Sequence, residues 1–191
     1  MSVFYGVRVN LDPARLAEFR KAVEPFTERA FWTAEHKVHA TIYYVARAEN
    51  VPRDAIAPLC GALHRAAEGR KPFMIEFAGA QAVMTGRDPR VLTTWLAITD
   101  QARDLASLRG RLIEEASSLN LPGGDTRRSF HPHVTVGRIK PAVEPGRLAA
   151  ALAPFGADFW GPYTVDAVYL FKTVQERNGS RYAVLDSQPL A

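Results

Sequence analysis

The sequence predicts an α+β fold of two similar halves, each a sheet backed by helices. Three observations predict it. Short runs rich in β-branched and aromatic residues alternate with runs of helical periodicity along the whole chain. The elements come in the order strand, helix, strand, helix, two strands, helix, strand, helix, two strands, an element set used twice. One phrase also recurs at corresponding places: His-x-Thr followed by an aliphatic residue, in "HKVHATIYYV" and again in "SFHPHVTVGRIK".

Each element has a local reason. In "SVFYGVRVN", Val3, Tyr5, Val7 and Val9 alternate with Phe4, Gly6 and Arg8, the pattern of a strand. A helix follows over residues 11–26: Asp12 can cap it, Pro13 suits its first turn, and Leu16, Phe19, Ala22 and Val23 share a face. "KVHATIYYVA" is a strand. Pro52 opens a helix ended by Gly69, and Pro58 inside it predicts a kink or a late start. Residues 71–85 and 90–99 read as strands around the turn "GRDP". Leu105, Leu108, Leu112, Ile113 and Ala116 repeat at helical spacing within residues 100–121. "PGGDTRRS" is a loop, "HPHVTVGRI" a strand and "EPGRLAAALAPF" a short helix. "YTVDAVYLFKTV" and "SRYAVLDSQPL" read as a last strand pair around "QERNG". No linker separates the halves, so residues 1–191 are expected to form a single domain of two interleaved lobes.

Composition narrows the classes. The chain of 191 residues is 47% hydrophobic and 23% charged, which supports a buried core and argues against wholesale disorder. A single cysteine, Cys60, excludes an internal disulfide framework and a multi-cysteine zinc site, and is expected to be a small buried hydrophobe. No basic leader with an apolar core opens the chain, and no apolar run reaches the ~20 residues of a membrane span. A reducing, cytoplasmic home and no membrane partner are therefore expected. The formal charge of +4 mildly favours anionic partners. A monomer is the default expectation.

Residues two apart on a strand share a face. His39 and Thr41 thus point one way and Ala40 and Ile42 the other; His133 and Thr135 oppose Val134 and Val136 in the same manner. Each strand offers an apolar face to a core and a polar pair to something else. If the strands face one another, two imidazoles and two hydroxyls converge. Near neutral pH one imidazole can take a proton from an attacking water while the other, charged, gives one to a departing alkoxide. The threonine hydroxyls can donate to the non-bridging oxygens of a phosphate. This chemistry calls for no metal and no cofactor.

The paired "HATI" and "HVTV" resemble the two signature motifs of the two-histidine (2H) phosphoesterase superfamily, and most closely its RNA 2′,3′-cyclic phosphodiesterases, also called 2′-5′ RNA ligases. The likeness extends over nearly the whole chain. It includes the opening strand and helix, Trp32 seven residues before the first motif histidine, "SFHPHVTVGR", and the ending "PYTVDAVYLFKT…RYAVLDSQPL". The resemblance implies a bilobal, pseudo-symmetric fold, two mainly antiparallel sheets facing a central cleft with helices outside. It implies that His39 and His133 are the catalytic pair, that Thr41 and Thr135 hold the phosphate, and that an RNA or nucleotide 2′,3′-cyclic phosphate is hydrolysed to a 2′-phosphate. RNA 2′-5′ ligation, 2′-5′ oligonucleotides and ADP-ribose cyclic phosphate stand as further activities or substrates. Arg138 stands where the family repeats an arginine three residues after the second threonine. Strict alternation puts it on the wrong face unless Gly137 bulges the strand. Where the family often has a basic residue, two after the first threonine, this chain has Tyr43, which alternation places on the motif face to stack on a base or bond a phosphate.

Other readings compete. His36, His39, His131 and His133 form a candidate zinc set, weakened because the motif partners are threonine rather than carboxylate. A non-catalytic RNA or nucleotide binder would use the same cleft, with Tyr43, Trp32 and Phe130 for stacking, although Trp32 and Phe130 fit core packing better. Arg109 and Arg111 are expected on a solvated helix face and His64 at the surface. Arg127 and Arg128 either rim the cleft or lie in a solvated loop.

Overall fold

Alternating burial along the strands organises the molecule. The computed structural model describes residues 1–84, 91–99, 103–122, 124, 130–176 and 179–191. The expected turn "GRDP" and the pair Arg127–Arg128 lie outside the described residues. Nine strands are present among the described residues: β1 (Ser2–Arg8), β2 (Thr27–Trp32), β3 (His39–Arg47), β4 (Phe73–Val83), β5 (Leu92–Thr99), β6 (His133–Pro141), β7 (Pro162–Val165), β8 (Ala167–Glu176) and β9 (Gly179–Pro189). They run β7-β4-β5-β6-β3-β1-β8-β9 across the sheet, every pairing antiparallel. Read outward from the β3–β6 junction, the order gives two four-strand lobes, β3-β1-β8-β9 and β6-β5-β4-β7. A single residue pair, Ala40 with Val134, joins them.

The helices cover the outer faces. Asp12 caps α1 (Pro13–Val23), its Oδ1 accepting from the Ala14 N–H at 2.8 Å, and Leu16, Phe19 and Val23 are buried. α2 (Ile56–Ala67) starts late, which leaves Pro58 in its first turn where the missing N–H costs no hydrogen bond. It packs with α3 (Asp104–Ser117) against the first lobe. α4 (Pro145–Leu152) and α5 (Ala157–Trp160) cover β4, and α1 packs on α4. Among the described residues no helix is long and apolar enough to cross a membrane.

Two expectations are corrected. The run "YTVDAVYLFKTV" is two strands, because the chain changes lobe at Asp166: Val165 pairs with Phe73 of β4, but Ala167 pairs with Pro189 of β9. Secondly, β2 is an extra strand. It pairs with β6 from Gly137 onward, beyond the one residue pair that β6 shares with β3. None of its six residues is buried, so its sequence carries no apolar alternation to announce it.

Candidate active site

The two motif strands meet at the centre of the sheet. Ala40 and Val134 pair directly, and both are buried, so both point into the core. Their neighbours point the other way. Carrying the register one residue in each direction sets His39 opposite Thr135 and Thr41 opposite His133. On that register the four residues alternate as a checkerboard, each histidine opposite the other strand's threonine. The two histidines stand on a diagonal, a relation in which residues on paired strands lie roughly 7–8 Å apart, their Cβ atoms somewhat closer.

The backbone orients both rings in the same way. His39 Nδ1–H donates to the carbonyl of Lys37 at 2.8 Å, and His133 Nδ1–H to the carbonyl of His131 at 2.9 Å. A carbonyl only accepts, so each Nδ1 holds its proton and acid–base exchange falls to Nε2. Lys37 also ties down the far hairpin, its Nζ donating to the Ser180 carbonyl at 2.6 Å.

Their surroundings differ. Phe4, Phe171 and Tyr182 wall in His39, with ring centroids at 5.1, 5.9 and 4.5 Å. Burial holds the His39 pKa below its ordinary value; the bond to Lys37 opposes this, and the nearby His133 adds to it. His133 instead lies flat on Trp95, at 3.8 Å and 16°. Beyond it opens a cavity of about 590 Å³ whose lining includes Gln81, Trp95, Arg103, Phe130 and His131.

A bulge follows each motif and decides where the next residues point. Tyr5 and Gly6 are consecutive, yet their partners are Tyr43 and Thr41, so Ile42 is an extra residue in β3. Tyr43 consequently turns to the core, 7% exposed and stacked on Tyr5 at 6.2 Å, and the expectation that it shares the motif face is corrected. Tyr44, paired with Phe4, takes that face instead. In β6, Thr94 and Trp95 pair with Gly137 and Thr135, which makes Val136 the extra residue. The same shift brings Arg138 round to the motif face, opposite Thr93. The Arg138 charge reaches Tyr182, whose pKa burial raises and the guanidinium partly lowers. Gly137 belongs to this turn of the strand, since a Cβ there would stand 2.6 Å from the Trp32 ring.

The remaining candidates divide. Trp32 packs edge-on to Phe19 beside the core, as expected. Phe130 also packs on the core but lines the cavity, and Arg109 is not solvated: it is 9% exposed, with its guanidinium 5.2 Å from the Phe130 ring. His64 is at the surface, paired with Asp186 at 2.9 Å. Cys60 is only half-buried, and burial together with a hydrogen bond to Asp186 raises its pKa, opposite to what a nucleophile needs. His36 and His131 are exposed, and among the described residues no group of three or more His, Cys, Asp or Glu is placed to hold a metal ion. Composition and spacing did not flag Trp95, Tyr182 or Tyr44. A tryptophan opposite Leu96 and Ile98 in alternation was the available signal for the first.

The chain is similar to several known proteins. An RNA 2′,3′-cyclic phosphodiesterase of Geobacillus stearothermophilus is 27% identical over 159 residues, 83% of this chain and 47% of that protein. One of Aeropyrum pernix is 29% identical over 113 residues, 59% of this chain and 62% of that one. The chain therefore spans about half to two thirds of the length of these curated relatives. Among solved structures, TT0787 of Thermus thermophilus superposes with a TM-score of 0.70 at 24% identity, covering 100% of this chain and 98% of that one. Escherichia coli LigT complexed with 3′-AMP gives 0.60 at 21%, covering 99% and 96%. At these identities the structures speak for the fold alone. A sequence model of the 2′-5′ RNA ligase superfamily matches residues 11–177, most of the chain and both His-x-Thr motifs. The chain belongs to the 2′-5′ RNA ligase superfamily.

Proposed function

We propose that this protein hydrolyses a 2′,3′-cyclic phosphate on an RNA or nucleotide end to a 2′-phosphate, without a metal. Water attacks phosphorus, the bond to the 3′ oxygen breaks, and a 2′-phosphate and a 3′-hydroxyl remain. One Nε2 takes the proton from the water and the other gives a proton to the leaving 3′ oxygen. Thr41 and Thr135 donate to the non-bridging oxygens as charge gathers there, and Arg138 adds a fixed positive charge on the same face. The reverse transesterification, joining ends through a 2′-5′ bond, would use the same groups. The names of the curated relatives and the nucleotide in the LigT complex support the choice of substrate class.

One observation carries the reading: both imidazoles, on paired strands, commit Nδ1 to the backbone carbonyl two residues earlier, which leaves both Nε2 atoms free for proton exchange. A mere binder has no need of that. The test is incubation with nucleoside 2′,3′-cyclic phosphates after exhaustive chelation, resolving 2′- from 3′-phosphate products. Turnover to the 2′-phosphate is expected. Loss of activity that zinc restores, or a 3′-phosphate product, would overturn the proposal.

A further inference from the structure

The space around the checkerboard is lopsided. On the His39 side Phe4, Phe171 and Tyr182 close in at ring-contact distance. On the His133 side lies the cavity of about 590 Å³, within the range that takes a nucleotide-sized ligand and far more than a phosphate needs. Its lining is mixed. Trp95 and Phe130 offer aromatic surface, Phe130 being backed by the Arg109 guanidinium. Gln81 offers an amide and Arg103 a permanent cation.

Arg103 is unusual in itself. It stands at φ 58°, ψ 24°, the left-handed region that a residue with a Cβ adopts only against steric resistance. It is exposed, and no ion pair of its side chain occurs among the described residues.

We infer that this cavity is a subsite for the nucleoside bearing the cyclic phosphate, with Arg103 receiving a phosphate on that nucleoside's 5′ oxygen. The inference rests on the phosphodiesterase reading for the placement of phosphorus between the imidazoles. From there the ribose leaves toward the open side, past His133. The 2′ and 3′ oxygens occupy one edge of the sugar and C5′ the other, so the 5′ phosphate points away from His133, across the cavity. Arg103 is the lining residue whose charge is fixed at every working pH. The preferred substrate class is thus a cyclic phosphate with a second phosphate one nucleotide step away, whether a free 5′-monophosphate or the phosphodiester of an RNA chain.

Three substrates separate these cases: adenosine 2′,3′-cyclic phosphate, its 5′-phosphorylated form, and the dinucleotide ApA ending in a 2′,3′-cyclic phosphate. Both 5′-substituted compounds are expected to show kcat/KM about tenfold higher than the simple nucleoside, carried by KM. In Arg103→Gln the ratio falls to near one, and Arg103→Lys keeps part of it. A wild-type ratio near one, or an undiminished ratio in Arg103→Gln, overturns the inference. A ratio confined to the dinucleotide also overturns it, since the second nucleoside rather than the phosphate would then be recognised. Calorimetric binding of adenosine 2′,5′-bisphosphate against adenosine 2′-monophosphate reads the same preference without catalysis. A protein that turns over none of the three yet binds the bisphosphate tighter through Arg103 would lose the phosphodiesterase reading and keep the subsite.

Discussion

The two motif strands carry the same instruments in different rooms. Each has histidine and threonine on one face, an Nδ1 bond to the carbonyl two residues back, and a bulge directly after the threonine. Around His39 the room is aromatic and closed; beside His133 it opens into the cavity. Three residues past the first threonine stands Tyr44, and three past the second stands Arg138, both delivered to the motif face by the bulge. On the proposed reading, the lesson is a division of labour. Acid–base chemistry repeats across the pseudo-symmetry axis, while recognition of the substrate resides on one side.

The harshest way to break the comparison is to remove either ring. His39→Ala and His133→Ala are each expected to lower kcat by at least ~10³, with cooperative unfolding retained. Thr41→Val and Thr135→Val should each cost about 10²-fold, since each removes one donor to the developing charge. Near-wild-type rates in either histidine variant would dissolve the pairing.

A subtler test uses the difference between the rooms. Because burial keeps His39 below 6.5, the limb it contributes to the rate–pH profile is expected on the acid side of that value. Tyr182→Ala lets water reach the ring and should move that limb upward, toward the ordinary histidine value. Stability follows the same sign. A depressed folded pKa means the unfolded chain binds the proton more readily, so the contribution of neutral His39 is full above pH 6.5 and is lost as pH falls through the folded value. Unfolding measured across that window in wild type and His39→Gln reports it, and an unchanged difference between the two would count against the burial argument.

The smallest effect tests the bulge itself. Tyr43→Phe is expected to leave kcat/KM unchanged and to cost about 1 kcal/mol of stability, whereas Tyr44→Ala lowers kcat/KM with little change in melting temperature. The opposite outcome would mean that strict alternation holds past Thr41.

That contrast also shows where the sequence was legible. The doubled His-x-Thr, the apolar faces of Ala40 and Val134, the cap at Asp12 and the late start at Pro58 all follow from period and composition. Tyr43 could not be placed that way, because a bulge shifts the period by one and nothing in "HATIYYV" marks it. In β6 a glycine gave warning, and Arg138 indeed lies on the motif face. β2 and the break at Asp166 escaped for a related reason: pairing partners are chosen by the whole sheet, and a half-exposed edge strand carries no periodic signature. Trp95 and Tyr182 escaped because their partners come from distant segments that only the fold assembles.

The ladder pair between Ala40 and Val134 is not all that joins the two halves of the sheet: Phe19 of α1, the helix that follows β1, packs edge-on against Phe155 and Trp160 beside β4. A single buried core therefore runs beneath both motif strands, Ala40 and Val134 included.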